Sequence, residues 1–548
     1  MNALPLRRPV AVLAVALFAL SLLTGAATAQ TAPSVAVAEV TGPIPATSEV
    51  GGPAHGYTFL ATDYDLAGHG YVEEEFFLSG QATSYAVDGI SDATVRTTGH
   101  DYTTRIVVRR PVDPADFNGT VIAEWYNVSN LWDQEVDWFQ THEHLVRSGY
   151  AWVGVSAQRA GVHSATGLRA WSPERYGDLD LTDGGTVTDD TLSWDVFSQA
   201  VNALRDPVDT APLGPLEAEH VIATGHSQSA GRLWGYVNSV DPLAGVVDAV
   251  VLHGGGPPIR DDIDTPVFKL NSETDVAIDL LGAAQRQPDT ERLVTWEVAG
   301  SSHGDWKLIT DYGRLRIRDI GTAPGGYPGT PQTCTNPSGS RIPQHMVQST
   351  LYDHVADWVA GGTQPPSAPP IVLEDGTVVR DDLGLGLGGI RLAQQEVPVR
   401  LNSGLNSGPG FCFIDGSSIP VADATLAEWY PDEDDYVDEV VATTADAVEA
   451  GYLHDDFARD PAWYSDVVEL VAARTADGRL DTRATDRLLD RVERAAAVAD
   501  AGDLRSALRW MRQADVFAEH QLRGNDDAIA TVARQTAAVV GILEFSGD

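Results

Sequence analysis

Ser227 stands within Gly225-His226-Ser227-Gln228-Ser229-Ala230-Gly231, between a short apolar run at His220 to Thr224 and a stretch of helical composition. A serine flanked by small residues at a sharp strand-to-helix turn is held clear of the sheet above the first-turn N–H groups of the helix. A hydroxyl needs that placement to attack an acyl carbonyl. Such turns usually carry glycine where this chain has Ser229. A serine hydroxyl is a weak nucleophile at neutral pH, so it requires a base, and the base requires an orienting acid. Both follow in chain order, each after an apolar run. Pro266 to Leu270 breaks into Asn271-Ser272-Glu273-Thr274-Asp275, offering Asp275 as the acid with Glu273 as its competitor. Leu293 to Val298 leads into Gly300-Ser301-Ser302-His303-Gly304, a small-residue loop on which the His303 imidazole can reach both acid and serine.

Charge developing on the attacked carbonyl oxygen calls for two N–H donors. Gln228, directly after the serine, is the first expected donor. The second is expected from the loop after Thr120 to Trp125, at Tyr126 to Val128 and centred on Asn127. His253-Gly254-Gly255-Gly256 has the composition of an HGGG donor motif but follows the serine instead of preceding it. It is therefore expected to close the next strand, with its glycines on the site rim. Trp125, Tyr126, Trp132, Trp138 and Phe139 crowd the segment expected to roof the pocket, and they read either as contacts for an apolar or aromatic substrate group or as core. Gln158 and Arg159 close a central strand where open α/β sheets place ligands; Arg159 serves equally well in a structural ion pair. This chemistry needs no metal or organic cofactor. His142-Glu143-His144 points its imidazoles to different helix faces and reads as surface or core. Asp432-Glu433-Asp434-Asp435 lacks the spacing of a calcium loop and reads as a solvated turn.

The elements that must position these residues are legible in outline. Gly70 to Ala86 and Tyr102 to Arg110 alternate as half-buried antiparallel strands do. Thr120 to Trp125, Ala151 to Ser156, His220 to Thr224, Val246 to His253, Pro266 to Leu270 and Leu293 to Val298 are apolar runs of the kind that fill a buried parallel sheet. Thr191 to Leu204 and Ser229 to Val240 read as crossover helices, and His345 to Ala360 as a helix ended by Gly361-Gly362 and the proline-rich 365–370. These runs predict an α/β fold with a mostly parallel central sheet over 30–434, including a post-core extension from about 371. A C-terminal all-α helical module follows over 435–548, in which Gly502-Asp503 and Gly524-Asn525 each stop one helix and cap the next.

Glu124-Trp125-Tyr126-Asn127-Val128-Ser129, Gly154-Val155-Ser156-Ala157-Gln158-Arg159, the Ser227 turn, Ser272-Glu273-Thr274-Asp275 and Gly388-Gly389-Ile390-Arg391-Leu392 together resemble a bacterial family of α/β hydrolase domain-containing proteins, over roughly residues 40 to 460. The resemblance implies the α/β-hydrolase fold and a serine carboxyl-ester hydrolase acting on a small-molecule ester. The same residues would serve an amidase or peptidase. A non-catalytic cell-surface binding protein on a hydrolase scaffold is the reading from a different class.

Composition bounds the rest. The 548 residues are 43% hydrophobic and 21% charged, as in soluble globular chains, and 78 acidic against 36 basic residues give a formal net charge of −42. With Lys269 and Lys307 as the only lysines, nucleic acid is not an expected partner. Residues 1–29, with Arg7-Arg8, an apolar run at Val10 to Leu23 and Ala27-Thr28-Ala29, predict a signal peptide and a secreted or extracytoplasmic location. Export to an oxidising compartment makes a Cys334–Cys412 disulfide the expectation, with two buried thiols as the alternative. The helical module is then expected to be separable, serving either attachment to the cell envelope or cover for the hydrolase core.

Overall fold

A computed structural model describes residues 35–454 and 456–546; the signal peptide expected at 1–29 lies outside them. Nine strands form one sheet: β1 (Glu39–Thr41), β2 (Tyr71–Ala86), β3 (Thr94–Pro111), β4 (Thr120–Trp125), β5 (Ala151–Val155), β6 (His220–His226), β7 (Ala249–His253), β8 (Val267–Ser272) and β9 (Leu293–Val298). Their spatial order is β1-β2-β3-β5-β4-β6-β7-β8-β9. The first three are antiparallel to their neighbours, and from β5 onward every pairing is parallel. The parallel strands are buried along their whole length, apart from one or two half-buried positions. Burial on both faces is why they read as continuous apolar runs. The β2–β3 hairpin departs from the alternation its sequence suggests, with Thr104 to Arg109 buried in succession and Thr94 to Gly99 exposed.

Helix Val136–Arg147 decides between the two readings of the aromatic segment in favour of core. Trp138 and Phe139 lie on it, buried against the sheet, and Trp132 is buried beside them. Arg109 on β3 lies 4.4 Å from the Trp138 ring and 4.5 Å from the Trp152 ring, while its guanidinium pairs with Glu73 and Glu135. Arg105, four residues earlier, pairs with Glu75 and Asp133. These aromatics pack around buried arginines as well as against apolar neighbours.

The all-helical region begins at Glu433, where Asp432 accepts from the Asp434 N–H as an N-cap and three further acidic residues occupy the first turn. The acidic run therefore starts a helix, as the partial charge at a helix N-terminus favours. Helices Ala462–Ala476, Thr482–Asp500, Leu504–Gln521 and Asp526–Phe545 follow, the last three capped by Asp481, Asp503 and Asn525. Gly502 takes positive φ directly after the C-cap Ala501, the conformation that ends a helix without a Cβ clash, whereas Gly524 lies beyond the C-cap Leu522, where a Cβ would collide with the Arg479 carbonyl oxygen. Asp526–Phe545 is long and apolar enough to cross a membrane by composition, yet 56% of its apolar window is buried inside the protein. Phe517 is buried and Trp510 half-buried beneath Arg494.

This bundle is joined to the sheet domain by polar as well as apolar contacts. His345 pairs with Asp460 at 3.0 Å, Arg341 with Glu469, and the Trp306 indole donates to Glu469 at 2.6 Å. His144 and His454 share the Asp353 carboxylate. The two imidazoles of His142-Glu143-His144 do serve different neighbours, and beside His142 the Lys307 ammonium bridges Glu143 and Asp311.

Cys334 and Cys412 form a disulfide across 78 residues of sequence, tying the loop after helix Trp306–Ile320 to the post-core extension. In the chain-entropy picture a loop of that length stabilises by about 4 kcal/mol before any native-state cost. A Cys334→Ser/Cys412→Ser double variant is expected to unfold several degrees lower than wild type in a thermal melt under non-reducing conditions. The His345–Asp460 pair generates a pH signature. Burial lowers the His345 pKa, but the adjacent carboxylate outweighs it and the net shift is upward; burial raises the Asp460 pKa, but the imidazolium outweighs it and the net shift is downward. The imidazole's contribution is full below its unfolded value near 6.5 and is lost as pH rises through its higher folded value. The carboxylate's contribution is full above about 3.9 and is lost as pH falls through its lower folded value. The stability gap between wild type and Asp460→Asn in urea unfolding should therefore be widest, at roughly 3 kcal/mol, between about pH 4 and 6.5 and should shrink by pH 9.

Candidate active site

Strand β6 ends at His226 and helix Gln228–Gly235 starts directly after it, leaving Ser227 to make the turn alone at φ 59°, ψ −118°. That backbone lies outside the regions ordinary residues favour. It fits here because its neighbours are small: a Cβ on Gly225 would come within 3.0 Å of Ser229 Oγ. Ser229 is accommodated at the glycine position because its hydroxyl folds under the turn and donates to the His226 carbonyl at 2.9 Å.

Strand β8 delivers the acid. Ser272 is the N-cap of helix Glu273–Ala277, and Ser272 and Asp275 form a reciprocal capping box. Asp275 Oδ2 accepts from both the Ser272 N–H and hydroxyl at 2.7 Å, which leaves Oδ1 for His303 Nδ1 at 2.6 Å. Burial pushes the Asp275 carboxyl up, but His303 and the Ser272 donors outweigh it and hold the pKa below the usual carboxylate range. The S-x-x-D spacing in the sequence carried this signal. Glu273 is corrected as the alternative acid: its carboxylate accepts from the Gly300 N–H at 2.9 Å, the Gly404 N–H at 3.1 Å and Arg380 at 2.7 Å, pinning the extension to the core.

Strand β9 ends one residue before Ala299, and the Gly300–Gly304 loop turns His303 back over the sheet. Gly254 makes room for it, since a Cβ there would meet the His303 ring at 2.9 Å. Of the glycines after His253, Gly254 packs on the His303 ring, while Gly255 lies against Leu281 and Gly256 against Leu252. His253 itself turns away into a buried contact with Asp137 at 2.7 Å. The His226 ring packs 4.2 Å from that of His303. Burial, then the neighbouring His303 and His253, lowers its pKa well below the ordinary value, so it stays uncharged beside them.

Ser227 and His303 open onto a cavity of about 550 Å³. Its walls come from Leu308, Ile309 and Tyr312 of the helix after His303 and from Phe411, Phe413 and Ile414 beside the disulfide. None of the four residues expected to bind substrate lines it. Trp125 is wholly buried among Trp194, Phe197 and Tyr236, and its indole donates to Gln158 at 3.1 Å. Tyr126 is buried against Arg105. Gln158 accepts from Gln228 Nε2 at 3.0 Å and so supports the turn from behind, while the Arg159 N–H is tied to Asp190. The roof comes from segments more than 80 residues beyond Ser227, one of them a helix and the other the stretch around Phe411 to Ile414.

Asn127 lines the cavity; its backbone N–H is spent on the Gln134 carbonyl, and its side-chain amide gives one N–H to the His226 carbonyl. The Tyr126 N–H is likewise bound to a backbone carbonyl. The Val128 N–H is held only by the Gln228 side chain at 3.3 Å. Gln228, first residue of its helix, has an N–H of the kind that lacks an intrahelical acceptor.

A mostly parallel sheet flanked by helices, with a serine turn, an acid and a histidine after strands β6, β8 and β9, is the arrangement of the α/β hydrolases. The family model described as "Alpha/beta hydrolase domain" matches residues 40–460, and the chain belongs to that family. No curated protein matches. Among solved structures, a "Putative Dienelactone Hydrolase" from Klebsiella pneumoniae subsp. pneumoniae is 12% identical, with 45% of this chain and 99% of that one covered and a TM-score of 0.23. Esterase Est22 is also 12% identical, with 54% and 81% covered and a TM-score of 0.27. Likenesses this remote carry no argument about substrate.

The short His303–Asp275 contact should give a strongly downfield-shifted Nδ1 proton in the NMR spectrum. Asp275→Asn is expected to abolish that resonance, whereas Glu273→Gln should retain it while loosening the 380–404 segment to limited proteolysis.

Proposed function

We propose that this α/β hydrolase is an exported serine esterase that cleaves carboxylic esters through an acyl-enzyme. The observation that carries the reading is the buried Asp275–His303 pair beside a serine held at φ 59° on the wall of an apolar cavity. With Nδ1 engaged by Asp275, His303 presents Nε2 for proton exchange. Ser227 Oγ attacks the acyl carbon, His303 takes the hydroxyl proton, and the pair of electrons moves to the carbonyl oxygen. Collapse expels the alcohol, which receives the proton from His303. Water then repeats the sequence on the acyl-enzyme and releases the acid. The Gln228 N–H is the first oxyanion donor, and the Val128 N–H becomes the second when the Gln228 side chain gives way to the oxyanion. The leader-like composition of residues 1–29 and the disulfide support export.

A fluorophosphonate probe should label the wild-type protein and leave Ser227→Ala unlabelled; an unlabelled wild type would favour a non-catalytic scaffold. Activated esters should be turned over, with a loss of roughly 10³- to 10⁴-fold in kcat for Asp275→Asn. Cleavage of short peptides without ester turnover would assign the site to amide chemistry instead.

A further inference from the structure

Helix Trp306–Ile320 begins two residues after Gly304, capped by Asp305, and presents Leu308, Tyr312 and Arg316 at four-residue spacing to the cavity. Arg316 is the one arginine or lysine lining it. Among the described residues its side chain makes no hydrogen bond or ion pair: its guanidinium lies 5.4 Å from the Trp132 ring, and its Nε is buried without a partner. The neighbouring arginines on the same helix are paired, Arg314 with Asp63 and Asp311 and Arg318 with Asp319. In a chain with 78 acidic and 36 basic residues, carboxylates are plentiful, and an arginine left without one inside a cavity goes against composition. A partly desolvated cation without a counter-charge is unfavourable until something anionic arrives.

We propose that Arg316 receives a carboxylate on the substrate, so that the preferred substrates are esters with a carboxylate at the far end of an apolar chain. This rests on Ser227 and His303 being the reactive centre. The apolar walls at Leu308, Ile309, Phe411 and Phe413 fit the spacer. A singly charged carboxylate suits the site better than a dianionic phosphate, because one guanidinium faces it and the cavity also holds Asp415. Burial pushes that carboxyl up to about 7, which softens its repulsion of a monoanion at neutral pH and below. The Arg316 backbone lies ten residues, or roughly 15 Å, along the helix from its start, and its side chain slants back toward that end. The spacer is therefore several methylenes long.

The test compares 4-nitrophenyl hemiesters of the adipic to azelaic acids with 4-nitrophenyl alkanoates of equal chain length, each pair assayed on one protein so that folding losses cancel in the ratio of kcat/KM. Wild type should favour the hemiester by roughly tenfold or more at its best length. Arg316→Met should bring that ratio to one or below, and Arg316→Lys should restore part of it. A wild-type preference for the neutral ester at every length, or a ratio that survives in Arg316→Met, would overturn the proposal. If wild type hydrolyses neither series, the esterase reading fails, and calorimetry with suberate decides the anion site separately. Binding to wild type that Arg316→Met loses supports the site, and no binding to wild type rejects it.

Discussion

The buried contact between Asp275 and His303 constrains everything around it. A carboxylate removed from water must have its oxygens satisfied, and here one oxygen is fixed by the Ser272 N–H and hydroxyl while the other is given to the imidazole. That division depends on strand β8 ending one residue before the helix whose cap it makes, and on β9 lying beside it in parallel register from Val267↔Leu293 to Ser272↔Val298. A shift of either strand would turn the acid or the histidine away from its partner. Gly254 and the uncharged His226 complete the enclosure, the first by lacking a side chain and the second by lacking a charge.

The remainder of the chain holds that geometry from above. Glu273, next to the acid in sequence, binds Arg380 and two backbone N–H groups of separate loops, so the post-core extension is fastened at the same strand end that carries the site. The disulfide fixes the extension a second time at the cavity wall. The helical bundle leans on the helices that frame this arrangement, through Glu469 to Trp306 and Arg341 and through Asp460 to His345. One continuous set of buried residues runs from the sheet into the bundle.

Charge is distributed with the same economy. Arg105 and Arg109 of β3 are each enclosed by two acids and packed on aromatic rings, and Lys307 bridges two carboxylates. Against that background Arg316 is an exception located where a ligand would sit. A polyanionic chain repels anionic small molecules at long range, so selecting one requires a local cation inside the cavity.

The sequence by itself determined the parallel strands, because burial on both faces demands uninterrupted apolar runs. It placed Ser227, the Glu273/Asp275 carboxylates and His303 in that order, because each follows such a run at a turn of small or polar residues. The helix stop at Gly502 and the caps at Asp503 and Asn525 were legible for the same local reason, whereas Gly524 stands beyond the helix end and meets the Arg479 backbone instead. Tertiary structure alone decided between Asp275 and Glu273, two residues apart, since the choice depends on which carboxylate faces β9 and which faces the extension. It alone decided that Trp125, Tyr126, Trp138 and Phe139 belong to the core, Tyr126 and Trp138 against buried arginines and Trp125 and Phe139 against other aromatic rings; composition cannot distinguish an aromatic facing a ligand from one packed in the interior. The true roof, around Phe411 and Phe413, comes from irregular chain far along the sequence. Its position is fixed by long-range pairing and a covalent bridge, neither of which leaves a local periodicity to read.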